Sequence, residues 1–345
     1  MAYSTVDKSS GLMNTLKYTG DGSATQAQTG LGFQPDFNWT KATSLSESNA
    51  ITDSVRGATQ TMYSNLTSAD SAISSNLKSF DADGFTMGSN GEVGQNSIIY
   101  TSWNWKGGTT SGLSGGTITP SSYSINTTSK FGIYQYTGTG SNGTIAHGLG
   151  VQPDVMFIKC ISNDQQWNVY HKSGIASAGA LVLNTTASND TSSNFWNDTE
   201  PDATVFTIGT NGQLNTSGYT YIAYVWCDVK GFCKSGRYKG NGESANGTFI
   251  YTGFKPSFVL IKNADSTAAW NFNNNTLLGY NPSNYIFNPN SAGAQGTSYI
   301  SDIYSNGFKP FNSADAEYNA SGNNYVYLAV GQSFIGSNGV CGTAR

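Results

Sequence analysis

One short phrase occurs three times in this chain, and its regular spacing limits the fold more than any other feature. The copies read GLGFQPDFNWTK at residues 30–41, GLGVQPDVMFIK at 148–159 and TGFKPSFVLIK at 252–262. Self-similarity at a domain-sized interval is the sequence signature of a repeated structural unit. The chain is therefore predicted to contain three tandem units, at residues 1–111, 112–229 and 230–345.

The repeated segments have the composition of β-hairpins. Glycine, asparagine and aspartate supply the backbone conformations of tight turns, and alternating valine, isoleucine, phenylalanine and tyrosine bury one face of a strand. Charged residues make up only 11% of the chain, against about 25% in an average globular protein. We predict an all-β fold of three tandem antiparallel β-sandwich units resembling jelly rolls, arranged either as a ring around a pseudo-threefold axis or as a linear string.

Several residues recur at equivalent places and are predicted to build this scaffold. They are the turn glycines Gly20, Gly138 and Gly240, the prolines Pro35, Pro153 and Pro256 at strand entrances, and the tryptophans Trp167 and Trp270 in strands or core. Proline fits a strand entrance because no ladder hydrogen bond is lost there. The Gly-, Ser- and Thr-rich stretch at 107–129 is predicted to be a linker or an extended arm between the first two units.

Trp196 lies in a polar insertion of the second unit, SSNFWNDTEP. Its ring either is exposed, where it could stack on a sugar or anchor a partner, or packs under its own loop, which is the usual fate of a large aromatic side chain. Trp196, Asn197 and Asn215 are the candidate residues for a ligand-binding or partner-binding loop.

Composition and motifs argue against several other functions. A net charge of −4 and a pI near 5.1 leave no basic stripe for nucleic acid, and the chain shows neither a signal peptide nor a membrane-spanning segment. No catalytic, cofactor or metal site is expected. Asp81 and Asp83 resemble the start of a calcium loop, but turn formation explains them better. Cys227 and Cys233 either pair across a hairpin or remain free thiols.

A wider set of phrases resembles a known family. YTGTG, HGLGVQPDVMFIK, LVLNTT, VFTIGTNG, YIAYVW, FCKSGRYKGNG and the closing FIGSNGVCGTAR are similar to a tandem-repeat family of virion structural or tail-fibre-like proteins of tailed phages, common in marine and cyanobacterial viruses. The resemblance covers nearly the whole chain and implies a protein without enzymatic activity or cofactor.

The resemblance leaves two functional classes open. One is a tail-fibre-like or adhesive appendage that binds host surface glycan. The other is a capsid or tail decoration protein that acts only through protein–protein contacts. Both imply a homo-oligomer located in the virion, assembled in the host cytoplasm and in contact with other virion proteins, without nucleic acid or membrane insertion.

Overall fold

The computed structural model describes residues 4–174, 179–277, 280–297, 301–311 and 316–333. It confirms the predicted all-β fold: 43% of the chain is strand and 2% helix. The helical elements in the described part are a 3₁₀ turn at Ser9–Gly11 and one short helix, α1, at Gly212–Asn215.

The strands form three successive groups along the chain. The first group comprises β1 (Met13–Thr19), β2 (Gln26–Thr29), β3 (Phe37–Ala42), β4 (Ala50–Asp53), β5 (Gly57–Tyr63), β6 (Ser71–Ala72), β7 (Leu77–Asp81), β8 (Gly84–Met87) and β9 (Ile99–Trp105). The second comprises β10 (Ser122–Asn126), β11 (Phe131–Thr137), β12 (Gly143–Ala146), β13 (Val155–Cys160), β14 (Trp167–His171), β15 (Leu181–Val182), β16 (Val205–Ile208) and β17 (Thr220–Trp226). The third comprises β18 (Cys233–Lys239), β19 (Ile250–Tyr251), β20 (Phe254–Asn263), β21 (Asn271–Asn274), β22 (Ser301–Tyr304), β23 (Gly307–Pro310) and β24 (Asn324–Ser333).

Each group builds one large and one small antiparallel sheet, here called a sheet pair. The large sheets have the orders β1-β9-β3-β4-β5-β6, β10-β11-β17-β13-β14-β15 and β18-β24-β20-β21. The small sheets have the orders β2-β8-β7, β12-β16 and β19-β23-β22. Every ladder between named strands joins strands of one predicted unit, while the exact unit boundaries stay a prediction.

Both faces of each large sheet are buried. One face packs on its own small sheet through a separate apolar cluster, for example Tyr100 with Phe85 and Met87 in the first pair. The other face points into one core that the three pairs share, where Trp39 lies 6.4 Å from Phe157 and Trp105 lies 5.3 Å from Phe258, measured between ring centroids. Burial on both faces explains the continuous apolar runs VMFI in β13 and FVLI in β20.

Neighbouring sheet pairs meet along polar contact regions, here called seams. The three seams close a ring, which decides between a ring and a linear string. The repeat-equivalent lysines Lys41, Lys159 and Lys262 donate hydrogen bonds from Nζ to carbonyl oxygens of Ala292, Thr67 and Thr186 respectively. The first pair thus contacts the third, the second contacts the first, and the third contacts the second. The three sheet pairs therefore surround a common core in a cyclic, head-to-tail order.

Of the three prolines predicted at strand entrances, one lies inside a strand. Pro35 and Pro153 precede β3 and β13, but Pro256 lies inside β20, next to a register shift between Pro256 and Phe258. That irregularity accommodates a residue without a ladder N–H. The stretch at 107–129 behaves as an extended arm, because Ser122–Asn126 joins the second large sheet as β10.

Candidate functional site

Trp196 of the predicted ligand loop is buried, with none of its surface exposed. Its indole Nε1 donates a 2.6 Å hydrogen bond to the Gly179 carbonyl, and its ring meets Tyr170 edge to face at 5.6 Å between centroids. Of the two alternatives for Trp196, the structure shows the buried one, in which the ring packs beneath its loop. Such a ring cannot stack on a sugar or anchor a partner.

Asn215 is also fully buried and fixes a turn of the scaffold. Its Oδ1 accepts from the Thr139 backbone N–H at 2.7 Å, and its Nδ2 donates to the carbonyls of Ser141 and Gly209 at 2.7 and 2.8 Å. Asn197, by contrast, is exposed, and its Oδ1 accepts from Asn142 Nδ2 at 2.7 Å. The predicted loop therefore presents only one of its three candidate side chains to solvent.

The turn glycines are scaffold residues for a geometric reason. A Cβ atom on Gly20, Gly138 or Gly240 would lie 2.3, 2.4 or 2.2 Å from a backbone carbonyl oxygen of the facing loop. Side chains cannot approach a backbone so closely, so only glycine fits at these positions. The repeated YTGDG, YTGTG and YKGNG phrases therefore carry architecture.

The tryptophans predicted to be scaffold residues link neighbouring sheet pairs. Trp167 Nε1 donates to the Tyr63 carbonyl, and Trp270 Nε1 donates to the Val182 carbonyl, both at 2.9 Å. Asn49 takes the corresponding place in the first pair, where its Nδ2 donates to the Ser291 carbonyl at 2.9 Å. These three bonds follow the same cyclic order as the lysines and reinforce each seam.

The lysine ammonium groups are enclosed at the seams with no exposed surface. Desolvation by burial lowers the pKa of each of Lys41, Lys159 and Lys262 to about 8. Carbonyl oxygens compensate for the lost water; Lys262 Nζ, for example, also donates to Asn263 and Ala268, both at 2.9 Å. Sequence reasoning found these lysines as repeat markers but missed their burial, because lysine is almost never fully buried.

A second set of equivalent polar residues lies at the ends of β4, β14 and β21. These residues face the following sheet pair, whereas the lysines face the preceding one. Asp53 Oδ2 accepts from Tyr224 OH at 2.6 Å, His171 Nε2 bonds to the Tyr327 carbonyl at 3.0 Å, and Asn274 Nδ2 donates to Thr101 Oγ1 at 3.3 Å. Burial lowers the pKa of His171 to about 4, so its imidazole is neutral near pH 7 and donates from Nε2.

Arg56 completes the most charged of these contacts. Its guanidinium Nε lies 2.5 Å from Asp53 Oδ2, and Nη1 lies 3.1 Å from Asp70 Oδ1. Burial opposes the charge on Arg56, but the two carboxylates raise its pKa above the usual value. The phrase DSVRGATQTMYSN contains both Asp53 and Arg56, so the sequence held a signal for this network.

The outer face of the third small sheet, by contrast, exposes aromatic side chains. Phe249, Tyr251 and Tyr304 are 46%, 59% and 36% exposed. Tyr251 and Tyr304 are both paired with Gly307 across β19, β23 and β22, and so they occupy one row of the sheet. This face, formed by Phe249, Tyr251, Tyr304 and the neighbouring Asp302 and Lys309, is called the aromatic face below.

A cleft of about 360 Å³ lies between the first and third sheet pairs. Its lining includes Ser10, Asn14 and Thr15 from the N-terminal side, and Ser257 and Asn275 from the third pair. These groups are mostly neutral and polar, and they add no titratable pair suited to acid–base chemistry. The cleft is part of the seam that closes the ring.

The remaining expectations concern thiols, metals and membranes. Cys227 and Cys233 are free and buried, which leaves them as unpaired thiols, and Cys341 lies outside the described residues. Asp81 accepts from Ser79 and Thr86 hydroxyls, and Asp83 accepts from the Gly30 and Gly32 N–H groups. Within the described ranges, no cluster of metal-ligating side chains forms and no helix could span a bilayer.

Fold and surface together define an all-β protein in which three sheet pairs enclose one core. The chain belongs to the family described as Domain of unknown function (DUF7483), whose model matches residues 8–333. No curated protein was found to match the chain.

Proposed function

We propose that this chain is a non-enzymatic structural protein of a phage virion, a tail-fibre-like or adhesive appendage that contacts the host surface. The observation that carries the proposal is the closed ring of sheet pairs, held by three enclosed lysines at three seams. Opening any seam would break the hydrogen bonds of one lysine and expose part of the shared apolar core to water, which is unfavourable. A particle that persists outside its host needs such a rigid component.

The surface supports an attachment role. Serine, threonine, asparagine and glycine dominate the turns, so the exterior forms hydrogen bonds without the desolvation cost of ions. Such a surface suits contacts with other virion proteins and with further copies of this chain. The aromatic face gives the third pair a distinct feature for recognition outside the assembly.

The alternative proposal is a capsid or tail decoration protein that acts only through protein–protein contacts. The outer face of the first small sheet favours it, since it presents the small exposed residues Ala27 and Thr29. Small side chains allow close, shape-complementary packing against a neighbouring subunit. The two proposals differ in where the protein sits on the particle.

Immunogold electron microscopy of purified virions tests both proposals. The particles come from a phage whose genome encodes this chain, and the antibody is raised against the folded protein. We expect gold at the tail tip or fibre ends, with no gold when the antibody is first absorbed with purified chain. Gold spread over the head would establish the decoration role instead, and particles without any gold would refute a virion location.

A further inference from the structure

We propose that the aromatic face binds a saccharide, with the rings of Phe249, Tyr251 and Tyr304 contacting the apolar C–H face of a pyranose. The three side chains lie on the outward side of the third small sheet, whereas Ile250, Ile303 and Phe308 of the same strands point into the core. Because successive side chains of a strand point to opposite faces, the rings lie on the outer face when these neighbours point inward.

The rings form a corner. Phe249 meets Tyr304 at 5.6 Å between centroids with an interplanar angle of 77°, so one ring stands as a wall beside the other. Gly307 makes this possible, since a Cβ there would lie 2.9 Å from the Phe249 ring and 2.1 Å from the Ile250 carbonyl oxygen. Two perpendicular aromatic surfaces can hold a small ring-shaped ligand in one orientation.

Polar groups border the corner at hydrogen-bonding positions. Asp302 pairs with Lys309 across β22 and β23, Asp302 Oδ2 accepts from Tyr304 OH at 3.2 Å, and Lys309 Nζ donates to Asn246 Oδ1 at 2.5 Å. A carboxylate, an ammonium and an amide beside aromatic rings provide both acceptors and donors for vicinal hydroxyl groups. Such a mixture of apolar surface and a few placed polar groups is typical of small-molecule sites.

Size favours a saccharide over a protein partner. An aromatic side chain offers about 200 Å² when fully exposed, so the exposed fractions of the three rings correspond to roughly 300 Å² of surface. A stable protein interface needs about 800 Å² from each partner. The area is sufficient for one or two sugar rings and falls short of a subunit interface.

The other two small sheets lack this face at the corresponding rows. Thr29 and Asp81 flank Gly84 in the first pair, where Tyr251 and Tyr304 flank Gly307 in the third. Ala146 faces Val205 in the second pair. The scaffold therefore does not require aromatic residues here, and a ligand accounts for their presence in one pair only. That the saccharide comes from a host surface rests on the proposed function; the binding itself does not.

Saturation-transfer NMR on the full chain tests the proposal, with methyl β-D-glucopyranoside, methyl β-D-galactopyranoside and methyl α-D-mannopyranoside as probes. We expect transfer to ring C–H protons of at least one probe, and about tenfold weaker binding after Tyr251→Ala or Tyr304→Ala, as for a central aromatic contact. Tyr251→Phe keeps the ring and should retain binding. Val151→Ala removes an exposed apolar side chain from the second pair and serves as the matched control.

Three outcomes would overturn the saccharide assignment. They are no transfer to any probe, equal transfer in wild type and both alanine variants, or a concentration-dependent dimer that Tyr251→Ala abolishes in sedimentation, which would make the face a contact between copies. This experiment and the gold labelling fail independently. Gold at the tail without pyranoside binding would refute only the saccharide site. Pyranoside binding without gold on the particles would refute only the virion proposal.

Discussion

The inward faces of the three large sheets resemble one another far more than the outward faces of the three small sheets do. At the seams, the same lysine recurs as Lys41, Lys159 and Lys262, each fully buried and each donating to the neighbouring pair. In the small sheets, the equivalent row holds an exposed Thr29 in the first pair, a buried Ala146 in the second and an exposed Tyr251 in the third. Ring closure restricts which residues can occupy the seam positions. The rows of the small sheets are less restricted, and their residues differ from pair to pair.

The inner positions are alike in role even where their chemistry differs. Asp53, His171 and Asn274 are an anion, a neutral imidazole and an amide, yet each bonds to the terminal strand of the next pair. The requirement is a polar side chain of suitable reach facing a fixed partner. The seams therefore differ in their response to charge and pH, which gives ways to test the comparison.

The largest effect is expected for Arg56→Ala. The substitution leaves the Asp53 carboxylate buried without its guanidinium, and breaking a buried ion pair on one side costs about 3–5 kcal/mol. The free energy of unfolding from urea denaturation measures the loss. The double variant Asp53→Asn with Arg56→Leu removes both charges and should lose clearly less. Equal losses in the single and double variants would show that packing, not charge, dominates this seam.

The second-largest effect is expected at His171, where acid should lower the free energy of unfolding. The folded-state pKa of about 4 lies below the usual value of 6.5 because the ring is buried. The unfolded chain therefore binds a proton first as the pH falls from 6.5 towards 4, and stability is lost over that window. The variant His171→Asn carries the amide that Asn274 provides at the equivalent position of the third pair. It should reduce the acid-induced loss in the free energy of unfolding by about 2–3 kcal/mol. Parallel acid slopes for wild type and variant would contradict a neutral buried imidazole.

A smaller effect is expected from Lys159→Met. The variant leaves the carbonyls of Thr67 and Cys160 without a donor that they have at 2.9 Å, which costs about 1–3 kcal/mol near pH 7. The folded-state pKa of about 8 is depressed by burial, so wild type should gain stability as the pH rises from 8 towards 10, while the unfolded lysine keeps its proton. Urea denaturation of both proteins at pH 7 and pH 10 measures the change in their difference, and a constant difference would argue for an accessible ammonium.

The sequence was informative wherever the structural signal is local. Hairpins could be predicted from turn glycines such as Gly138 and from the strand residues after Pro153. Turn conformation and the two-residue strand period each depend on only a few consecutive residues. The ring could not be read in this way. It depends on which sheet faces meet across long sequence separations, and a buried Lys41 violates the usual preference of lysine for solvent.

The burial of Trp196 in the candidate ligand loop could not be predicted for a related reason. Trp196 has polar neighbours in sequence, which favours exposure, but tertiary contacts with Tyr170 and the Gly179 carbonyl bury it. The opposite holds for Tyr251 and Tyr304. Both are aromatic residues of strands, a pattern typical of buried positions, yet their side chains face solvent. Which side of a strand becomes the outside is decided by packing of the whole pair.

The smallest effect on stability is expected from Tyr251→Thr, which places the residue of the first small sheet on the third. The side chain is 59% exposed, and substitutions at such surface positions usually change the free energy of unfolding by less than about 0.5 kcal/mol. Trp196→Ala, with its ring in a packed site, should cost about 3–5 kcal/mol. Urea denaturation of the two variants side by side measures this contrast. A large loss from Tyr251→Thr would mean that the aromatic face serves the scaffold and is not free to specialise for a ligand.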